Sequence, residues 1–108
     1  MLTFAEYRKM DATALAEAIA MGELEAGEVL ETAIARAEAV NPALNAIVHD
    51  QFDQARQAIA SGNAPDGPFK NVPYLLKDLG AFDAGQPCSF GSRLWADFVP
   101  DHDSTYTE

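Results

Sequence analysis

Apolar residues recur at helical spacing through the first sixty positions. The longest run has apolar residues three or four apart, which is typical of one face of a helix: Val29, Leu30, Ala33, Ile34, Ala37 and Val40. Glu25, Glu28 and Glu31 stand near its start, where the positive end of a helix dipole favours carboxylates. Pro42 is predicted to end this helix, because proline has no amide hydrogen to continue the bonding.

Two shorter helices are predicted before it. Thr3 and Glu6 have the spacing of a capping box, in which each side chain accepts a hydrogen bond from the other residue's backbone N–H. A second helix is predicted to start after Asp11 or Thr13, since either side chain can cap it, and to end near Gly22.

A fourth helix is predicted from about residue 51 to residue 60. Its inward positions are apolar: Phe52, Ala55 and Ile59. Residues 61–68 then form a turn-rich linker containing glycines and prolines. The chain is therefore expected to divide into N-terminal helices over residues 1–60 and a second part over residues 61–108.

Residues 72–79 are predicted to form a β-strand. The segment reads Val-Pro-Tyr-Leu-Leu-Lys-Asp-Leu and is mostly apolar on both alternating faces. A strand that is apolar on both faces is typical of a sheet covered by helices. The pattern therefore predicts an α/β protein, in which a helical segment is followed by the first strands of a sheet.

Lys77 is the candidate chemical group of this segment. As a strand residue it would stand between Leu75 and Leu79 on an apolar face. A buried ammonium group must find acceptors or become neutral through a lowered pKa, and a neutral lysine can accept a proton. The residues alone also allow a strand-end lysine that reaches water beside a solvated Asp78.

Composition and charge exclude several classes of function. The 108 residues are 48% hydrophobic and carry 17 acidic against 7 basic side chains, a formal charge of −10. Such a chain lacks the basic surface that nucleic acids or anionic membranes require. It contains no apolar run of roughly 20 residues and no secretory signal. The single Cys88 favours a reducing compartment, so a cytoplasmic location is expected, with no cofactor and no metal.

Five blocks of sequence resemble the beginning of an amidase signature family enzyme. They are Asn41–Ala46, Val72-Pro73, Lys77-Asp78, Gly91–Arg93 and Asp101–Asp103, in that order. Within the family, the sequence of the lysine segment and of Phe90–Arg93 is most similar to bacterial amidases of the 6-aminohexanoate cyclic dimer hydrolase type. The resemblance implies that residues 61–108 start the α/β core of the amidase signature fold, a mixed sheet that carries the lysine strand.

The resemblance also implies a mechanism. Lys77 would be the base of a Ser–cis-Ser–Lys triad that cleaves the C–N bond of a small carboxamide substrate through an acyl-enzyme. The family's two serines lie in a Gly/Ser-rich segment, and none occurs in these 108 residues. The chain is therefore expected to be an inactive N-terminal fragment. A second departure is Asn71, where family members usually have glycine before Val-Pro.

Two alternatives to an amide hydrolase remain open. One is the A subunit of a glutamine-dependent amidotransferase, which releases ammonia from glutamine. The other is a non-catalytic acidic helical module that docks on another protein through the alanine-rich stripes of residues 15–40. In a piece of 108 residues, at least one face of a strand that is apolar on both faces lacks its cover, so self-association is expected.

Other reactive residues are interpreted more simply. Cys88 could pair with His49 or His102 as nucleophile and base, but nothing marks the thiol as activated. Asp101–Asp103 could suggest a metal site, although adjacent residues in an acidic loop do not easily face one ion. A solvated loop is the favoured interpretation.

The remaining polar and aromatic residues are expected to have structural roles. Asp78 is predicted to orient nearby backbone N–H groups rather than to join catalysis. Ser89 and Ser92 flank a glycine-containing turn and are expected to serve it. Trp95 and Phe98 are expected to pack against other side chains.

Overall fold

The computed structural model describes residues 1–108 and is built from helices and loops. The helices are α1 (Phe4–Tyr7), α2 (Ala12–Ala20), α3 (Ala26–Leu44) and α4 (Phe52–Ser61), followed by a 3₁₀ turn at Arg93–Trp95. The chain divides into two compact units, Met1–Pro73 and Tyr74–Glu108, here called the N-terminal and C-terminal units. No helix is long and apolar enough to span a bilayer.

The first two helices begin at the predicted capping residues. The Thr3 hydroxyl accepts from the Glu6 backbone N–H at 3.3 Å, while Glu6 Oε2 accepts from the Thr3 N–H at 2.9 Å, which confirms the capping box. The hydrogen bonds from Thr3 also lower the pKa of Glu6. At α2 the cap is Asp11, whose Oδ1 accepts from the Ala14 N–H at 2.9 Å.

Helix α3 runs past Pro42, so the prediction that this proline ends the helix is wrong. Proline removes the one hydrogen bond that its N–H would donate to the Glu38 carbonyl, and the helix continues for only two residues beyond it. The helix ends instead at Leu44, and the residue after it, Asn45, takes the left-handed conformation with φ 48°. The Asn41 side chain then holds the departing chain, since it donates to the Ile47 carbonyl and accepts from the Ile47 N–H, both at 2.9 Å.

The buried core of the N-terminal unit comes from α2 and α3. Its members are small or aliphatic: Leu15, Ala16, Ala18, Val29, Leu30 and Ile34. Helix α3 packs against both α1 and α4, which makes it the centre of this unit. The predicted inward face of α4 is half-buried, whereas its intervening polar residues are exposed. The helical periodicity therefore predicted the helices and most of their buried positions correctly.

The predicted β-strand is absent, and the α/β fold class is wrong for this chain. Residues 72–77 have no regular secondary structure, and the chain contains no strand or sheet. A strand requires a neighbouring strand for its hydrogen bonds. The N–H groups of residues 74–77 donate to no other backbone group, so the segment has no neighbouring strand to pair with.

The C-terminal unit is held together by aromatic rings and a few backbone bonds. The rings of Phe82, Phe90, Trp95 and Phe98 contact one another with centroid separations of 5.5 to 6.4 Å. The Cys88 N–H donates to the Phe98 carbonyl at 3.1 Å, and the Cys88 side chain is buried. The packing roles predicted for Trp95 and Phe98 are confirmed.

Candidate active site

Lys77 lies in the loop that opens the C-terminal unit, with its side chain exposed. Leu75 and Leu79 are 70% and 61% exposed, so the predicted burial of the lysine between them is wrong. The prediction failed because it relied on a sheet face that this chain does not form. The backbone turns directly after the lysine, where the Leu79 N–H donates to the Lys77 carbonyl at 2.8 Å.

The residue next to the lysine is fixed by two hydrogen bonds. Asp78 Oδ1 accepts from the Ser89 backbone N–H at 2.6 Å, and Asp78 Oδ2 accepts from the Ser89 hydroxyl. Both residues are half-buried. Asp78 thus orients a backbone N–H, as predicted, but this N–H belongs to Ser89 and not to a residue near Asp78 in sequence. The hydroxyl bond was not predicted, because no local pattern links residues eleven positions apart.

Ser89 begins a tight turn that contains the first two residues of the Gly91-Ser92-Arg93 block. The Ser92 N–H donates to the Ser89 carbonyl at 2.9 Å, and the central residues Phe90 and Gly91 have φ of 54° and 64°. Positive φ at both central positions is the geometry of a type I′ turn, which explains the glycine. Phe90 adopts it against the preference of a bulky residue, and its ring is held by the aromatic cluster.

Ser92 starts the next element. Its hydroxyl accepts from the Leu94 N–H at 3.3 Å and so caps the 3₁₀ turn. The turn role predicted for this serine is confirmed. Together, the lysine loop, the Asp78–Ser89 pair and this turn form one hydrogen-bonded segment that presents the Lys77 amine to solvent.

A second turn precedes the lysine segment. The Val72 N–H donates to the Phe69 carbonyl at 3.1 Å, and Asn71 at the third position has φ 67°. A positive φ there is typical of a type II turn and favours glycine, with asparagine the next best choice. Asn71 can therefore adopt a conformation that usually requires glycine.

The acidic loop near the end of the chain does not gather its side chains around one point. Asp101 Oδ1 lies 2.8 Å from His102 Nδ1, and this contact lowers the pKa of the Asp101 carboxyl. Asp103 Oδ1 instead accepts from the Ala84 N–H at 2.7 Å. No group of three or more metal-ligating side chains converges anywhere in the chain.

Comparison with known proteins identifies one family. The amidase family model matches residues 28–108, a range that includes Lys77 and the Ser89–Ser92 turn. The chain is 46% identical over 98 residues to the putative amidase AmiC of Mycobacterium tuberculosis, covering 91% of this chain and 20% of the relative. It is 38% identical over 100 residues to the 6-aminohexanoate-cyclic-dimer hydrolase of Paenarthrobacter ureafaciens, with the same coverage.

A third relative has a different activity in its name. The chain is 35% identical over 106 residues to the A subunit of the glutamyl-tRNA(Gln) amidotransferase of Streptomyces coelicolor, covering 93% of this chain and 21% of the relative. The chain thus spans about a fifth of the length of the curated relatives it matches.

Proposed function

Because the chain belongs to the amidase family, we propose that it is part of a hydrolase that cleaves the C–N bond of small carboxamides, with Lys77 as the base. The match over residues 28–108 carries the proposal, since it includes the lysine segment. The hydrogen-bonded segment around Lys77 supports it, because a base must be held in a defined position to accept a proton.

The proposed reaction divides into two steps. The hydroxyl of a nucleophilic serine attacks the carbonyl carbon, and its proton passes through a second serine, in a cis peptide, to the Lys77 amine. The amine product leaves with a proton, and water then hydrolyses the acyl ester. Backbone N–H groups stabilise the negative oxygen in both steps. In this proposal the 108 residues contribute the base, because the Gly/Ser-rich segment that the resemblance implies for the two serines does not occur among them.

The base role requires a neutral amine. Desolvation is the usual way in which a protein keeps a lysine amine neutral. In this chain Leu75 and Leu79 are largely exposed and offer apolar surface on both sides of Lys77 in sequence. The proposal therefore includes a second condition. In the active protein, Leu75 and Leu79 are covered by other parts of the protein, so that water is excluded from the Lys77 amine.

The test uses the protein expressed from its whole gene, with release of amine or ammonia from simple carboxamides as the assay. Lys77→Ala is expected to lower kcat by about 10² to 10⁴. Lys77→Arg is expected to be as inactive, since guanidinium stays charged at any useful pH. Lys70→Ala is the matched control, because Lys70 is an exposed lysine that pairs with Asp66 at 2.7 Å.

Two results would contradict the proposal. One is near-normal activity of the Lys77→Arg variant in a folded protein. The other is amide hydrolysis by the 108-residue chain alone that disappears in Lys77→Ala, because a base without its serines cannot form an acyl-enzyme.

A second candidate function is the A subunit of a glutamine-dependent amidotransferase. The 35% identity to such a protein favours it. Both candidates use the same proposed base, so substrate choice separates them. Release of ammonia from glutamine, stimulated by a partner protein, would favour the amidotransferase, whereas hydrolysis of simple amides without a partner would favour the amidase.

The third alternative, a helical docking module, has less support. Its predicted docking surface is the set of apolar stripes within residues 15–40. Most large side chains of those stripes are already buried within the N-terminal unit, Val29 and Ile34 almost completely, while Ile19 and Val40 are half-buried. They are therefore not available to a partner without unfolding the unit.

A further inference from the structure

We propose that Asp78 is a positioning residue for Lys77, and that it acts by holding Ser89. This inference rests on the proposed function, because it assigns a role in the same reaction. It concerns the carboxylate beside the base, which the proposed chemistry itself does not use.

The first argument is the lack of regular structure around the lysine. The N–H groups of residues 74–77 donate to no other backbone group, so no ladder or helix determines the path of this loop up to the lysine. Side-chain hydrogen bonds must set the path instead. Asp78 supplies two of them, both to Ser89.

The second argument is the geometry of that contact. Two acceptor oxygens of one carboxylate bind two donors of one residue, which restricts both the distance and the rotation of the carboxylate. This anchor is on the residue that directly follows Lys77 in the chain. The loop is also closed on the other side of Asp78 by the bond from the Leu79 N–H to the Lys77 carbonyl.

The third argument is the rigidity of the structure to which Asp78 is tied. Ser89 starts the type I′ turn, whose central Phe90 is packed in the aromatic cluster. Because the lysine loop is hydrogen-bonded to this turn, the position of the turn fixes the position of the loop. A reacting amine that is misplaced by about 1 Å can lose roughly a hundredfold in rate, so such an anchor matters for catalysis.

The experiment measures kcat and KM of the whole-gene protein for a simple carboxamide. Asp78→Ala removes both acceptors and is expected to lower kcat by about tenfold to a hundredfold with little change in KM. Asp78→Asn is expected to restore most of the rate. Its amide oxygen can accept from the Ser89 N–H, and its amide N–H can donate to the Ser89 hydroxyl.

Two further variants distinguish a positioning role of Asp78 from a general effect on the stability of the protein. Asp103→Ala is the matched control, because Asp103 also holds a backbone N–H in the C-terminal unit, that of Ala84. It is expected to leave kcat unchanged. Ser89→Ala should lower kcat several-fold in the wild-type protein and have no further effect in Asp78→Ala, since the two residues act as one pair.

The outcomes are distinguishable. If Lys77→Ala is inactive but Asp78→Ala keeps the wild-type kcat, the positioning role is wrong and the base role stands. If Lys77→Ala keeps its activity, the proposed function is wrong and the positioning role is wrong with it. If Asp78→Ala does not fold, Ser89→Ala is compared with Ser92→Ala, whose serine caps the neighbouring 3₁₀ turn; equal kcat values for these two variants overturn the proposal.

Discussion

Arg56 of α4 binds both carboxylate oxygens of Glu31 in α3. Its Nε lies 2.6 Å from Oε1 and its second terminal nitrogen lies 2.9 Å from Oε2, while its first terminal nitrogen contacts Asp53 at 3.0 Å. This planar, two-bond pairing joins helices whose residues are 25 positions apart in sequence. The contact lowers the pKa of Glu31 and raises that of Arg56.

This pair predicts a pH dependence of stability. A carboxyl group whose pKa is lower in the folded state stabilises the fold above its ordinary value of 4.5, and this contribution disappears as pH falls through the lowered pKa. Glu31→Gln is therefore expected to lower Tm modestly at pH 7. The difference from wild type should shrink below pH 4.5 and vanish in stronger acid.

Thermal denaturation from pH 7 to pH 2 checks this prediction. Glu38→Gln is the control, because Glu38 is an exposed glutamate of the same helix outside any ion pair. High salt should reduce the effect of Glu31→Gln, since the pair is exposed and is screened. A difference between wild type and Glu31→Gln that stays constant across this pH range would contradict the pairing.

The core of the N-terminal unit predicts a large effect at one residue. Ile34 is 3% exposed in the middle of α3. Ile34→Ala is expected to lower the free energy of unfolding by about 2 to 5 kcal/mol, because buried contacts are lost and a cavity remains. Leu44→Ala, in the same helix at a site that is 66% exposed, should change it by less than about 0.5 kcal/mol. Chemical denaturation measures both, and similar values would show that α3 does not pack as described.

The positive φ of Asn71 predicts an unusual order of substitutions. Asn71→Gly should be neutral or slightly stabilising, whereas Asn71→Ala should destabilise by about 1 kcal/mol, because a Cβ without a local hydrogen bond disfavours this conformation. Asn63→Ala is the control, since Asn63 is exposed and does not have positive φ. Equal stability of the alanine and glycine variants at position 71 would argue against the turn.

The exposed apolar side chains of the C-terminal unit predict self-association. Leu75, Leu79 and Leu94 are 70%, 61% and 84% exposed. Apolar surface of this kind tends to be covered by association, although the charge of −10 opposes it. Light scattering of the chain at rising concentration should show oligomers, and salt should increase them by screening the charge. Leu75→Ser with Leu79→Ser should shift the chain toward monomer, and a wild-type monomer at high concentration that binds no hydrophobic dye would contradict the prediction.

The sequence by itself determined the features that depend on near neighbours. The capping box at Thr3, the Asp11 cap and the apolar stripe of α3 could be predicted because helical bonds and side-chain spacing involve residues three or four apart. The amidase family could be identified because its short motifs keep their order along the chain.

The tertiary structure decided the features that depend on distant residues. The segment at residues 72–79 has the pattern of a buried strand but is not one, because a strand exists only when a neighbouring strand supplies its hydrogen bonds. The exposure of Lys77 follows from the same cause. The hydrogen bonds from Ser89 to Asp78 and the pairing of Arg56 with Glu31 join residues 11 and 25 positions apart, which no local periodicity encodes. Such contacts are set by how the loops and helices pack, and packing depends on the whole chain at once.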